Sequence, residues 1–223
     1  MPDPKFEGFG ATLSSEEFSD LVSRGARRNF RRGGYLLTEG EISDHVAVVL
    51  DGRAKVSSVT HDGREVVLAV RGPGDLLGEL SALDGGVRSA SVSALEPVEA
   101  LIIPAERFER FLEDHPRLAI LLLQTMSRRL RDADRKRIEF GAYDTPGRVA
   151  RRICELADRY GESDPRGVRI SLSLTQDELA GWTGASREAV SKALRHFRDR
   201  GWIETGRRSI IVLNVDALRT LAV

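Results

Sequence analysis

Two short stretches of this sequence carry side chains that could do chemistry. Gly78-Glu79-Leu80-Ser81, followed after a loop by Arg88-Ser89-Ala90, brings a glycine, a carboxylate and a guanidinium together between two strand-like runs. A glycine lets the backbone approach a ligand, successive amides can donate to phosphate oxygens, and a guanidinium can pair with a phosphate at two points. Glu79 would then accept from a ribose hydroxyl. The same residues also allow a plain ion pair between Glu79 and Arg88, with the glycine serving only the turn.

The second stretch begins at Thr175-Gln176-Asp177-Glu178, a capping box in which the Thr175 hydroxyl accepts from the amide of Glu178 and the Glu178 carboxylate reaches back to the amide of Thr175. That helix ends near Trp182 or Thr183, Gly184 permits a sharp turn, and Ser186 caps a second helix that reaches Arg200, with Gly201 as its stop. The pattern is a helix-turn-helix, whose second helix enters the major groove of DNA. Val190, Ala193, Leu194 and Phe197 recur at i, i+3, i+4 and i+7 and face a core, which leaves Arg187, Glu188, Ser191, Lys192 and Arg195 on the opposite side. Arginine and lysine donate to guanine O6 and N7, and glutamate accepts from cytosine N4. A solvated face of ion pairs is the alternative for five polar residues, and the capped first helix, the glycine turn and a following hairpin weigh against it. The hairpin runs Trp202 to Thr205, Gly206-Arg207-Arg208, then Ser209 to Leu213, so Arg207 and Arg208 stand at a turn suited to phosphate contacts.

The elements that must position these residues are legible in outline. Val46 to Leu50, Ala54 to Thr60, Glu65 to Arg71, Arg88 to Leu95 and Val98 to Pro104 read as strands, with Asp51-Gly52 and Asp62-Gly63 as hairpin turns between consecutive ones. A short helix over Ser15 to Arg24 precedes them, and Ala105 to Leu112 reads as another. His115-Pro116 opens a longer helix in which Leu123, Met126, Leu130, Ala133, Arg137 and Phe140 follow the a/d spacing of a coiled-coil seam. Its Leu118 to Leu123 end is expected to pack on its own β-domain, and the later half on the same helix of a second chain. Asp144-Thr145-Pro146-Gly147 is a hinge and a new N-cap, Arg148 to Tyr160 is amphipathic, and Gly161 to Gly167 reads as a polar loop. The chain is therefore an α+β protein in three parts: an antiparallel β-roll over 1–115, a dimerisation helix over 116–143 and a winged helix-turn-helix over 144–223.

Composition narrows the function classes. Lys plus Arg and Asp plus Glu balance at 34 each, so a basic footprint must be local. His45, His61, His115 and His196 lack ligand-like spacing and Cys154 lacks an activating partner, which argues against an enzyme and against a metal. The start, Met1 to Glu7, lacks the features of a signal peptide, and no apolar run suffices to span a bilayer, so a cytoplasmic protein with no membrane partner is expected.

Taken together, Gly78-Glu79-Leu80 through Arg88-Ser89-Ala90 and Leu174 to Leu194, including Ser186-Arg187-Glu188, resemble the cyclic-AMP receptor protein and fumarate-nitrate regulator family from about Phe18 to Val215. The resemblance implies a cyclic-nucleotide-binding roll in which Gly78, Glu79, Arg88 and Ser89 hold ribose and cyclic phosphate, with Leu80 and Ala90 in the same cassette. It implies bases read by Arg187, Glu188 and Lys192, an inverted-repeat double-stranded operator bound by a homodimer, and RNA polymerase as a further partner. Cyclic AMP is one such ligand. Two residues depart from the pattern. Where cyclic-AMP receptors offer hydroxyls to adenine from the dimer helix, this chain has Ala133, which cannot hydrogen-bond, and Asp134, which could accept from an exocyclic amine. Lys192 stands where many relatives have arginine, and it lacks the planar fork. One cysteine cannot hold an iron-sulfur cluster, and nothing supports haem. The alternatives are a regulator of the same fold whose cassette is vestigial, and a nucleotide-binding module of an enzyme.

Overall fold

The computed structural model describes residues 6–42, 44–172 and 174–222, with Phe140 through its backbone alone. Met1 to Lys5, read above for a leader, and the side chain of Phe140, read as a seam position, lie outside the described residues. Two compact units divide the chain. One holds the residues up to Ser58 with Leu68–Asp132, and the other Val59–Val67 with the residues from Ala133 onward.

In the first unit, Ser14 caps α1 (Ser15–Ser23) through a capping box with Glu17, whose carboxylate accepts from the Ser14 amide at 2.7 Å. The strands β1 (Ala26–Phe30), β2 (Tyr35–Leu37), β3 (His45–Asp51), β4 (Ala54–Val59), β5 (Glu65–Arg71) and β6 (Leu76–Leu77) follow, then α2 (Glu79–Asp84), β7 (Ser91–Ala94) and β8 (Val98–Pro104). They form two four-stranded sheets, β1-β8-β3-β6 and β2-β7-β4-β5. Consecutive inward residues of β3 explain the double-sided burial: Val46 and Val48 join Leu101, Ile103, Phe108 and Phe111 in one cluster, while Ala47 and Val49 join Leu37, Leu77, Val92 and Ala100 in another. At the Asp51-Gly52 turn, Gly52 sits at φ 78°, and a Cβ there would fall 2.2 Å from the Pro97 carbonyl oxygen. The expected antiparallel β-roll is present.

Three details differ from the sequence reading. β1 was invisible because Arg27, Arg28 and Asn29 are exposed and show no alternation; β8 alone recruits them, pairing Ala26 with Ile102 through Phe30 with Val98. The segment after Gly78 is a short helix, α2, bounded by Gly78 and Gly85 in the left-handed region, and six residues are too few to show a helical period. The strand expected from Arg88 starts only at Ser91, because the Arg88 backbone is taken by Gly40 and Glu41.

After α3 (Ala105–Asp114), the helix α4 spans Pro116–Ala142. Leu118 and Leu122 are buried on the roll as expected, whereas Leu123 is 62% exposed and Leu130 64%. Met126, half-buried, packs against the roll core. Among the described residues, Ile120, Leu123, Leu130 and Ile138 are the large apolar side chains that α4 leaves uncovered in the single chain.

In the second unit, Asp144 caps α5 (Thr145–Tyr160) by accepting from the Gly147 amide at 2.8 Å, with Pro146 in the first turn. The anticipated loop after it is instead a hairpin, β9 (Gly161–Asp164) and β10 (Gly167–Ile170). Its polar sequence hides the pairing. Asp164 accepts from Arg166 and Arg169, and those guanidinium hydrogen bonds hold its carboxyl well below the usual carboxylate range. Then come α6 (Gln176–Thr183), α7 (Arg187–Asp199), β11 (Ile203–Gly206), β12 (Ser209–Val212) and α8 (Val215–Leu221), with the sheet ordered β11-β12-β10-β9. Val149, Ile153, Leu156, Leu179, Val190, Leu194, Phe197 and Ile203 are all buried. Cys154 is buried as well, and burial pushes its thiol up to about 11.

Candidate ligand site and nucleic-acid interface

In the cassette, Gly78 leaves β6 at φ 79° and opens α2. A Cβ at Gly78 would lie 2.5 Å from Nη1 of Arg88, so the glycine both turns the chain and admits the guanidinium. Arg88 is only 4% exposed. Its Nη1 donates to the Gly78 carbonyl at 2.8 Å and the Ser81 hydroxyl at 2.9 Å, and its Nη2 donates to the carbonyl of His45. All three acceptors are neutral. Burial lowers the pKa of Arg88, and the charges of Asp44, Glu79 and Glu41 only partly oppose this. A guanidinium cannot lose its proton at working pH, so a buried positive charge is held here by neutral hydrogen-bond acceptors, with carboxylates acting on it only through space.

Glu79 is also 4% exposed, and its ion-pair partner is Arg129 of α4, whose Nη1 donates to it at 2.7 Å. Nη2 of Arg129 donates to the Leu76 carbonyl at 2.8 Å and lies 3.4 Å from Asp75. The ion pair between Glu79 and Arg88 that the sequence left open does not form. Arg129 has no motif of its own in the sequence, where it is one of several charged residues along the long helix. The signal that could have found it is indirect: a glutamate expected to be buried requires a cation, and a long helix follows. Ser89 and Leu80 are exposed, and Ala90 is half-buried beside Ser89. On α4, Ala133 and Asp134 are exposed.

At the other site the sequence-derived geometry is present in detail. Thr175 accepts from the Glu178 amide at 3.1 Å and the Glu178 carboxylate accepts from the Thr175 amide at 2.7 Å. Thr175 is therefore occupied as a cap. Gly184 adopts φ 61° and Ser186 caps α7 by accepting from the Ala189 amide at 3.2 Å. Arg187, Glu188, Lys192 and Arg195 are exposed along one face, whereas Ser191 is half-buried. The Nε of Arg187 is 3.6 Å from Asp177 of α6, an exposed pair that water screens. The Glu188 carboxyl is held below its usual range, first by its own backbone amide at the start of α7 and then by the Ser186 hydroxyl. It is an acceptor at neutral pH. Arg207 and Arg208 form the exposed two-residue turn between β11 and β12, Arg208 at φ 56°. Among the described residues no group of histidine, cysteine and carboxylate side chains could hold a metal, and no helix is long and apolar enough to cross a membrane.

Residues 27–115 match the cyclic nucleotide-binding domain and residues 147–221 the Crp-like helix-turn-helix domain. The chain is 35% identical over 190 residues to the CRP-like cAMP-activated global transcriptional regulator of Mycobacterium tuberculosis, covering 85% of each. It belongs to the cyclic-AMP receptor protein and fumarate-nitrate regulator family. Another member, the Cyclic AMP receptor protein of Thermus thermophilus, is 30% identical over 219 residues, 98% of this chain and 96% of its own. Among solved structures, the c-di-GMP responsive global regulator CLP of Xanthomonas campestris shares the fold, with a TM-score of 0.82 and 22% identity over 89% of this chain and 99% of that one. As a member of this family the chain is a transcription regulator with a cyclic nucleotide-binding domain and a DNA-binding helix-turn-helix.

Proposed function

We propose that this regulator acts as a homodimer whose affinity for DNA is gated by a cyclic nucleotide held in the Gly78 to Ala90 cassette. The observation that carries the reading is Arg88, a buried guanidinium whose hydrogen-bond acceptors among the described residues are all neutral, seated against a glycine whose absent Cβ makes room for it. A cyclic phosphate would supply the missing anion, with Ser89 and the cassette amides as further donors and Glu79 as acceptor for the ribose. Relatives described as cAMP-activated support the same assignment. Ligand shifts the DNA-binding equilibrium only by its differential affinity for the two arrangements of the dimer. With Ala133 and Asp134 in place of hydroxyls, binding is expected to be weaker and less adenine-selective than in relatives with both.

Calorimetric titration with cyclic AMP and cyclic GMP, alongside DNA binding with and without each, tests the gating. The expected result is a saturable isotherm for at least one nucleotide and a changed DNA affinity when it is bound. If neither binds at millimolar concentration, the cassette is vestigial and the protein regulates without nucleotide. One observation favours that second reading: the Arg88 guanidinium already holds three acceptors, which a purely structural residue would also do.

The dimer rests on the uncovered Ile120, Leu123, Leu130 and Ile138 of α4. With a two-fold axis, successive recognition helices enter the major groove about 34 Å apart, so the operator is an inverted repeat with half-sites roughly one turn apart. Sedimentation at micromolar concentration is expected to give a dimer, and one dimer per inverted repeat; a monomer on a single half-site would overturn this part. Arg187, Glu188, Lys192, Arg195, Arg207 and Arg208 make up the exposed part of the DNA-facing set, with Ser191 half-buried on the same helix and Thr175 and Ser186 capping the two helices that present it; RNA polymerase is a further partner in this reading, in the cytoplasm.

A further inference from the structure

Asp75 sits at 5% exposure one turn before the cassette, in a loop interlocked with the N-terminal segment. The Glu7 amide donates to the Pro73 carbonyl at 2.8 Å and the Gly10 amide to the Gly74 carbonyl at 2.7 Å. The fit leaves no room for side chains: a Cβ at Gly74 would be 2.2 Å from the Glu7 carbonyl oxygen, one at Gly10 would be 2.7 Å from the Gly74 Cα, and one at Gly8, which holds φ +60°, would be 2.9 Å from Oδ1 of Asp75. The Asp75 backbone is tied to the core as well, its carbonyl accepting from Val49 at 3.0 Å. Of its two carboxylate oxygens, Oδ2 accepts from the Gly72 amide at 3.0 Å and Oδ1 faces Nη2 of Arg129 at 3.4 Å. The other arm of the same guanidinium, Nη1, holds Glu79 at 2.7 Å.

We infer that Asp75 is a positioning residue of the ligand site: anchored by the N-terminal segment, it orients the Arg129 fork, and Arg129 in turn fixes the Glu79 carboxylate that receives the ligand's ribose hydroxyl. The inference rests on the cassette binding a cyclic nucleotide. A planar guanidinium gripped at both ends has one orientation, and removing one grip leaves Nη2 with the Leu76 carbonyl alone. Glu79 would then keep its charge and lose its placement. The N-terminal segment from Phe6 to Leu13 thereby becomes part of the machinery that sets ribose recognition, at a distance from any contact with ligand.

The effect is read as discrimination between cyclic AMP and 2′-deoxy cyclic AMP by calorimetry on the full-length protein. A hydrogen bond to a charged acceptor separates the two ligands by roughly 10- to 100-fold in the wild type. In Asp75→Asn the amide still accepts from Gly72 but turns an N–H toward Arg129, and the ratio is expected to fall to within about threefold, with the loss confined to cyclic AMP. In that background Glu79→Gln should change the ratio by no more than about twofold, since coupled residues fail additivity. Gly8→Ala perturbs Asp75 from the other side and is expected to lower the ratio in the same direction; it decides the matter if Asp75→Asn does not fold. An unchanged ratio in the folded variants overturns the inference while leaving nucleotide gating intact, as does a wild type that binds both nucleotides equally. A wild type that binds neither these nor cyclic GMP overturns the gating reading, and this one with it; one that binds cyclic GMP alone has the ratio read against 2′-deoxy cyclic GMP.

Discussion

Arg88→Ala is expected to bring cyclic nucleotide binding below detection and, at the same time, to lower the stability of the β-roll by roughly 3 kcal/mol. The two effects have one origin. The guanidinium is the group that would meet the phosphate, and it is also the donor for the Gly78 carbonyl, the Ser81 hydroxyl and the His45 carbonyl. Alanine leaves these acceptors at a buried position with no donor from the protein, and unmade buried hydrogen bonds cost about 1–3 kcal/mol each before water partly repairs them. Arg88→Lys separates the contributions. It keeps the charge but has no fork, so it can serve one or two acceptors and grip a phosphate at a single point. It should regain part of the stability and still bind at least about tenfold more weakly than wild type. Urea unfolding gives the first quantity and calorimetry the second. Wild-type nucleotide affinity in a folded Arg88→Ala protein would remove Arg88 from the ligand site.

The second large effect concerns DNA. Arg187→Ala should cost roughly 1–3 kcal/mol at the preferred operator and relax base preference at one position, because a bidentate donor to guanine O6 and N7 is lost. Glu188→Ala should relax preference at a neighbouring position. Since the Glu188 carboxyl is held below its usual range by its own amide and the Ser186 hydroxyl, its acceptor role is complete at neutral pH and is lost at a lower pH than that of an unperturbed glutamate. Arg207→Ala behaves differently. At an exposed turn on the hairpin it meets phosphate, so its loss should weaken all sequences alike and reduce the slope of log affinity against log salt by about 0.9. Binding isotherms on the preferred site, on single-base variants and at several salt concentrations distinguish these outcomes. Uniform loss across sequences for all three variants would mean that none of them reads bases.

The elements that were legible in the sequence are those fixed by neighbours within one or two turns. The capping box from Thr175 to Glu178, the Ser186 cap, the left-handed Gly184 and the buried stripe of Val190, Ala193, Leu194 and Phe197 all follow from hydrogen bonds and periodicity within a few residues. So do the short helix α1 and the strands β3, β5 and β8, whose β-branched and apolar runs declare themselves. Chemistry-bearing residues were identified by type, and the family followed from two motifs in order.

Tertiary structure decided what those residues meet. Glu79 was free, on sequence grounds, to pair with Arg88 nine positions on; it pairs instead with Arg129, fifty residues away, because α4 delivers that guanidinium to the buried carboxylate. Arg88 turns inward to three neutral acceptors because Gly78 leaves space for it. The polar strand β1 exists only through β8, and the β9 and β10 hairpin through a carboxylate shared by Arg166 and Arg169. Met126, spaced like a seam residue, also packs against the roll core. In each case the local pattern allows several partners of similar energy. The choice among them depends on which distant group the fold brings within hydrogen-bond range, a quantity that spacing along a chain does not contain.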